Sequence, residues 1–163
     1  MNWFYPDASA LVKRYSSEIG TDFMNRLFNT LLPLIPTRLI CSRINLGEVI
    51  ASLNRKKNAG ILPTNQFALV CTRFFAEISR GQVWPVTEDL LDASVSHILS
   101  QNLNATDAIH LQTVLEIQLF LQQFGNSVVL VVADRRLLRA AEANGIICIN
   151  PETSSLTDLN HLL

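Results

Sequence analysis

Long apolar runs are missing from this chain of 163 residues; the longest strand-like one, Val128 to Ala133, is far too short to cross a bilayer. A secretory leader is not expected either, since the first fifteen residues carry Asp7, Lys13 and Arg14 without a sustained apolar stretch. Cysteine is scarce. Cys41, Cys71 and Cys148 stand far apart among apolar neighbours, an odd count that reads as reduced thiols in a cytoplasmic protein. An excess of base is also lacking: the net charge is −1, which does not announce a nucleic-acid binder, although a locally basic site can sit on a neutral protein. The six glycines form neither a phosphate-binding loop nor a dinucleotide fingerprint. No Ser or Cys occupies a nucleophile elbow, and His97, His110 and His161 make no zinc spacing with the cysteines.

What is present is a 48% hydrophobic, 17% charged composition, enough for one domain, residues 1–163, with a real core. Trp3 to Tyr5 reads as a short buried strand ended by Pro6, and Ala8 to Tyr15 has helical spacing. Helices follow over Gly20 to Leu32, from about Leu46 to Ala59, and from Pro63 to Ser79. Further helices are expected over Thr87 to Ser100, Asp107 to Phe124 (Thr106 as cap) and Arg135 to Asn144. Strand candidates are Leu39 to Cys41, Val83 to Val86, Val128 to Ala133 and Ile146 to Ile149; Asn150-Pro151 then opens a polar tail. The continuously apolar Val128 strand fits burial on both faces. Strands alternating with helices imply an α/β fold, a parallel sheet of about five strands covered on both sides.

That layout orders the acids. Asp7 and Asp134 each follow directly on a strand, so both belong at one sheet edge, where open α/β folds keep their sites. Each is also a favoured helix cap, which alone would explain an isolated Asp. Asp107 shares its helix face with His110, Leu111 and Val114, and a carboxylate heading an apolar stripe needs compensation from N–H groups or a cation. Glu48 lies opposite the Leu46, Val49, Ile50 and Leu53 stripe. That is a solvated position unless this face lines a groove. Together the four would make an oxygen-only site for Mg²⁺ or Mn²⁺, suited to phosphodiester hydrolysis. His110, one turn after Asp107, is in reach of the groove but reads first as packed along its helix. The basic clusters at Lys13-Arg14, Arg55-Lys56-Lys57 and Arg135-Arg136 with Arg139 read as exposed faces; those near Asp7 and Asp134 are also placed to hold phosphates.

Four segments carry a resemblance: Tyr5-Pro-Asp7-Ala-Ser9-Ala-Leu-Val-Lys13, Asn45-Leu-Gly-Glu48-Val, Ala105-Thr-Asp107-Ala-Ile-His110-Leu and Val132-Ala-Asp134-Arg-Arg. Their order and spacing resemble the PIN domain family, and within it the VapC-type ribonuclease toxins. The resemblance implies a three-layer α/β/α sandwich. It implies that Asp7, Glu48, Asp107 and Asp134 hold Mg²⁺ or Mn²⁺ and cut RNA, with Ser9 beside the first Asp helping to position water or metal. It further implies a small antitoxin partner and a homodimer. Val132 departs from the family, many members having a hydroxyl residue there, and Leu31 to Arg38 and Gln118 to Gly125 look extended. Two alternatives remain: a PIN-like nuclease of RNA processing without antitoxin, and a non-catalytic α/β binding module. A receiver-like module wants a Lys after the last strand, where Asn150 stands, and a degenerate PIN domain should lack an acid, whereas all four are present.

Overall fold

Five short strands, all parallel, form the middle of the molecule; the computed structural model describes residues 1–163. In chain order they are β1 (Asn2–Pro6), β2 (Ile40–Ser42), β3 (Gln82–Trp84), β4 (Ser127–Val131) and β5 (Ile147–Ile149). In space the order is β3-β2-β1-β4-β5. The ladder thins between β1 and β2, which touch through one bridge, Phe4 to Leu39, so hydrogen bonding divides the sheet into three strands and two. The helices are α1 (Ala8–Tyr15), α2 (Thr21–Leu31), α3 (Arg43–Asn58), α4 (Thr64–Ile78), α5 (Glu88–Gln101), α6 (Ala105–Gln122), α7 (Arg135–Ala143) and α8 (Leu156–Leu162).

Side chains on a strand alternate between faces, and β4 shows what this does. Val129 and Val131 join Phe4 in a core with α1, α2, α3 and α4, while Val128, Leu130 and Val132 join Tyr5 in a second core with α6 and α7. Two apolar layers on one sheet give the α/β/α sandwich that the continuous Val128–Val132 run implies. Register fixes where the strands end. Tyr5 pairs with Leu130 and Pro6 with Val131, and the Asp7 amide donates to Val131 O at 3.0 Å. That bond is the last of the β1–β4 ladder; Pro6, whose ring leaves no N–H, adds none on the β2 side, and the chain turns into α1 directly after Asp7.

Two sequence expectations need correction. The tail after Pro151 is not merely polar: Leu156–Leu162 form α8, and Leu159 is fully buried against the first core. Seven residues are too few for periodicity to register. The readable signal was the cap, where the Asp158 amide donates to Ser155 Oγ at 3.1 Å and the Ser155 amide to Asp158 Oδ2 at 2.8 Å. Replacing Ser155 by Ala is expected to cost about 1 kcal/mol in urea denaturation; no change would mean that Leu159 alone holds the helix. The cap of α6 is Asn104, not Thr106, because the Asn104 side chain accepts from the Asp107 amide at 2.8 Å.

Lys13 and Arg14 are not an exposed cationic face. Both are buried. Lys13 Nζ reaches Glu152 Oε1 at 2.6 Å. Arg14 donates to both oxygens of Glu77 (3.1 and 2.9 Å) and to Asn25 and Asn29 (2.7 and 3.1 Å), joining α1 to α4 and α2. Gly20, at φ +92°, sits beneath Pro151, where an added Cβ would lie 2.9 Å from the Pro151 carbonyl oxygen. Only glycine fits that turn and that contact.

Candidate active site

The end of β1 and the end of β4 lie side by side, which brings Asp7 and Asp134 to one edge of the sheet. Ser9 links them. Its Oγ donates to Asp7 Oδ1 at 2.8 Å and accepts from the Ala133 amide at 3.1 Å. Asp7 Oδ1 also caps α1, accepting from the Ala10 amide at 2.9 Å. Asp134 caps α7 through its own Oδ1, with the Arg136 and Leu137 amides at 2.8 and 3.1 Å. The bland reading of both residues as helix caps is therefore correct, yet it accounts for one oxygen of each.

The other two acids follow the same pattern. Asp107, in the first turn of α6, accepts from Asn104 Nδ2 at 2.8 Å on Oδ2, and an Arg136 nitrogen stands 3.5 Å from that oxygen. Glu48, midway along α3, accepts on Oε2 from His110 Nε2 at 2.7 Å. In each of the four carboxylates one oxygen is held by the protein. The remaining ones, Asp7 Oδ2, Glu48 Oε1, Asp107 Oδ1 and Asp134 Oδ2, accept no hydrogen bond from it.

Burial acts on two of these acids, and one of them also feels its neighbours. Burial raises the Asp7 carboxyl to a pKa of about 6, against the opposing pull of His110 and the hydrogen bonds from Ala10 and Ser9. Asp107 is also raised, first by burial and then by the Asp134 charge, with a smaller contribution from Glu48; Arg136 and His110 oppose the shift. Arg136 lies between the two helix-start acids, 4.0 Å from Asp134 Oδ1, and supplies counter-charge from an exposed position.

The acids are spaced around the edge rather than gathered into a cage: no three His, Cys, Asp or Glu groups stand close enough to enclose an ion as placed. Their donor chemistry nonetheless fits a hard divalent cation, because four carboxylates each offer one unpaired oxygen. Ser9, Glu48 and Asp134 line a cleft of about 570 Å³ together with Lys13, Arg55, Lys56, Glu18 and Glu152. Glu48 is thus on a groove and not on a solvated face. What the sequence did not show is the set of anchors. Asn104 and Arg136 could have been suspected from their nearness in sequence to Asp107 and Asp134; His110 reads from the sequence as packed first and near the groove second, with no partner named. It is buried, as expected of packing, and it also bonds Glu48.

The PIN domain sequence model matches residues 4–143. The chain belongs to the PIN domain family. Members of this family are generally nucleases and typically use divalent metal ions. Among solved structures this PIN domain is similar to PAE2754 from Pyrobaculum aerophilum, with 18% identity, a TM-score of 0.64, and 98% and 94% of the two chains covered. It is also similar to FitAB bound to an IR36 DNA fragment and to FitAcB from Neisseria gonorrhoeae. Both align at 13% identity and a TM-score of 0.60 over 93% of this chain, covering 97% and 99% of theirs. At such identities the likeness concerns the fold. Comparison with curated proteins gave no match. The α/β/α sandwich with its parallel strands, expected of a PIN domain, is present, and no helix is long and apolar enough to cross a membrane.

Proposed function

We propose that this PIN domain is a metal-dependent endoribonuclease acting as the toxin of a toxin–antitoxin pair, with residues 1–163 working as one cytoplasmic domain. The observation that carries the proposal is the set of four carboxylates at one sheet edge, each tied down through one oxygen and open at the other. Asp7, Glu48, Asp107 and Asp134 would hold Mg²⁺ or Mn²⁺ through those open oxygens. The cation supplies Lewis acidity toward the scissile phosphate and makes water nucleophilic near neutral pH.

The chain's own residues do the rest. Ser9, a residue of the cleft lining, fixes the spacing of Asp7 from Ala133 and so from Asp134. Arg55 and Lys56, about two turns along α3 from Glu48 in the cleft lining, suit the neighbouring backbone phosphates, contacts that position RNA without reading its sequence. Asp107 is raised first by burial and then by the Asp134 charge, and a cation held by these carboxylates would offset that repulsion. A small antitoxin protein covering this groove and pairing of the domain as a homodimer complete the proposal, by resemblance to VapC-type toxins.

The test uses the purified protein, free of antitoxin, on structured RNA. Cleavage with Mg²⁺ or Mn²⁺ and none with EDTA is the expected result. Cleavage that survives EDTA would overturn the metal role, and no cleavage with either cation would overturn the nuclease. A duplex DNA of equal length serves as the control, and it is expected to stay intact. Without antitoxin in the picture the same chemistry serves RNA processing; a short reading frame beside this one favours the toxin.

A further inference from the structure

Glu48 differs from the other three acids in how it is held. Asp7, Asp107 and Asp134 stand at helix starts and are fixed by groups within three positions of them in the chain. Glu48 sits in the middle of α3, where no free backbone N–H is within reach. Its only anchor is His110, 62 positions away on α6, at 2.7 Å. His110 is 2% exposed, so its ring cannot turn to water for a substitute partner. Behind it the Tyr5 hydroxyl lies 2.6 Å from Nδ1, and Tyr5 is wholly buried at the end of β1.

We propose that Tyr5 and His110 are positioning residues that set the orientation of Glu48, holding Oε2 so that Oε1 is presented to the cleft as a cation ligand. The inference rests on the metal-dependent reading of the site. Its polarity follows from the inventory of donors. A carboxylate can only accept, so the imidazole hydrogen is on Nε2; in the neutral ring Nδ1 is then an acceptor, and the Tyr5 hydroxyl donates to it. The three members come from the three layers of the sandwich: α3 on one face, β1 in the sheet and α6 on the other. Glu48 is thereby located relative to Asp7, which follows Tyr5 by two residues, and to Asp107, which precedes His110 by three.

This arrangement makes the outer partner part of the site, and loss of such partners typically weakens metal affinity roughly 10- to 100-fold. The test is calorimetric titration of Mn²⁺ into wild type, His110→Leu, His110→Gln, Tyr5→Phe and Glu48→Gln, each first checked for a cooperative thermal transition. His110→Leu is expected to weaken Mn²⁺ binding about 10-fold or more. His110→Gln, whose amide can donate to the same Glu48 oxygen, should recover most of that loss, and Tyr5→Phe should fall between. Adding Glu48→Gln to His110→Leu should cost no more than Glu48→Gln alone, because both remove one function. A purely packing role predicts that Leu, which fills the space, binds Mn²⁺ as well as wild type does, or that Gln is as poor as Leu; either result overturns the inference while leaving the metal site standing. Wild type that binds no Mn²⁺ would overturn both together.

Discussion

Replacing Asp7 by Asn should reduce metal-dependent RNA cleavage by more than about 100-fold, beyond what loss of an outer partner usually costs, and should make the metal-free protein more stable. The two effects come from one carboxylate. Asn is also a good helix cap, and its oxygen can keep the bonds that Asp7 Oδ1 takes from Ala10 and Ser9, so α1 is undisturbed. What is lost is a negative charge in a nearly dry position, which burial has raised from the ordinary 3.8 to about 6. A raised carboxyl favours folding below its unfolded pKa, and that contribution is lost as pH climbs through the folded value. Above pH 6 the ionised Asp7 therefore costs the wild type about 3 kcal/mol, at 1.36 kcal/mol per pKa unit. Urea denaturation in EDTA should show wild type falling below Asp7→Asn in stability between about pH 4 and pH 6 and staying below it. Mn²⁺ should restore the wild type and leave the variant unchanged. Equal curves for the two proteins would mean that Asp7 is better solvated than its burial implies.

Glu77→Ala should be the most damaging single change away from the cleft, at about 3–5 kcal/mol in the same denaturation experiment. Glu77 receives both Arg14 bonds, a bond from Arg73 Nε at 3.0 Å and another from the Tyr15 hydroxyl at 2.9 Å. Burial works against its charge, but the hydrogen bonds from Arg14, Arg73 and Tyr15 outweigh it and hold the pKa below the ordinary range. A lowered carboxyl contributes stability above its unfolded pKa and loses it as pH falls through the folded value. The wild-type advantage over Glu77→Ala should accordingly shrink in acid, below about pH 4.5. Removing the carboxylate strands the Arg14 guanidinium, which is buried with only Asn25 and Asn29 left as acceptors. Glu77→Gln keeps an acceptor and should cost less. A loss under 1 kcal/mol for Glu77→Ala would mean that Arg14 reaches water without it.

How much of this was legible beforehand depended on sequence distance. All five strands, and every helix except α8, could be read from the chain, because alternation, helical stripes and caps are written over neighbouring residues. The edge position of Asp7 and Asp134 was equally readable, since a strand, an Asp and a helix follow one another directly in both. Glu48 was not. Periodicity gives the direction of a side chain about its own helix axis, and says nothing about which element is brought alongside; here that element is α6, 62 positions on. Lys13 and Arg14 misled for the same reason: their partners, Glu152 and Glu77, lie 139 and 63 positions away. Paired with them, two cations that looked like a surface patch become part of the interior.

The bond that Ser9 makes in both directions has a mechanical consequence. Asp7 and Asp134 are attached to neighbouring strands in fixed register, and a slip of one residue would move one against the other by about 3.3 Å, more than a whole Mg–O bond of about 2.1 Å. Half of the site therefore behaves as the fixed jaw of a vice. Glu48 and Asp107 belong to helices on opposite faces of the sheet, so their reach depends on the apolar layers under those helices. Repacking under α3 would shift Glu48 and leave Asp107 in place, whereas repacking under α6 would move Asp107 directly and Glu48 through its bond to His110.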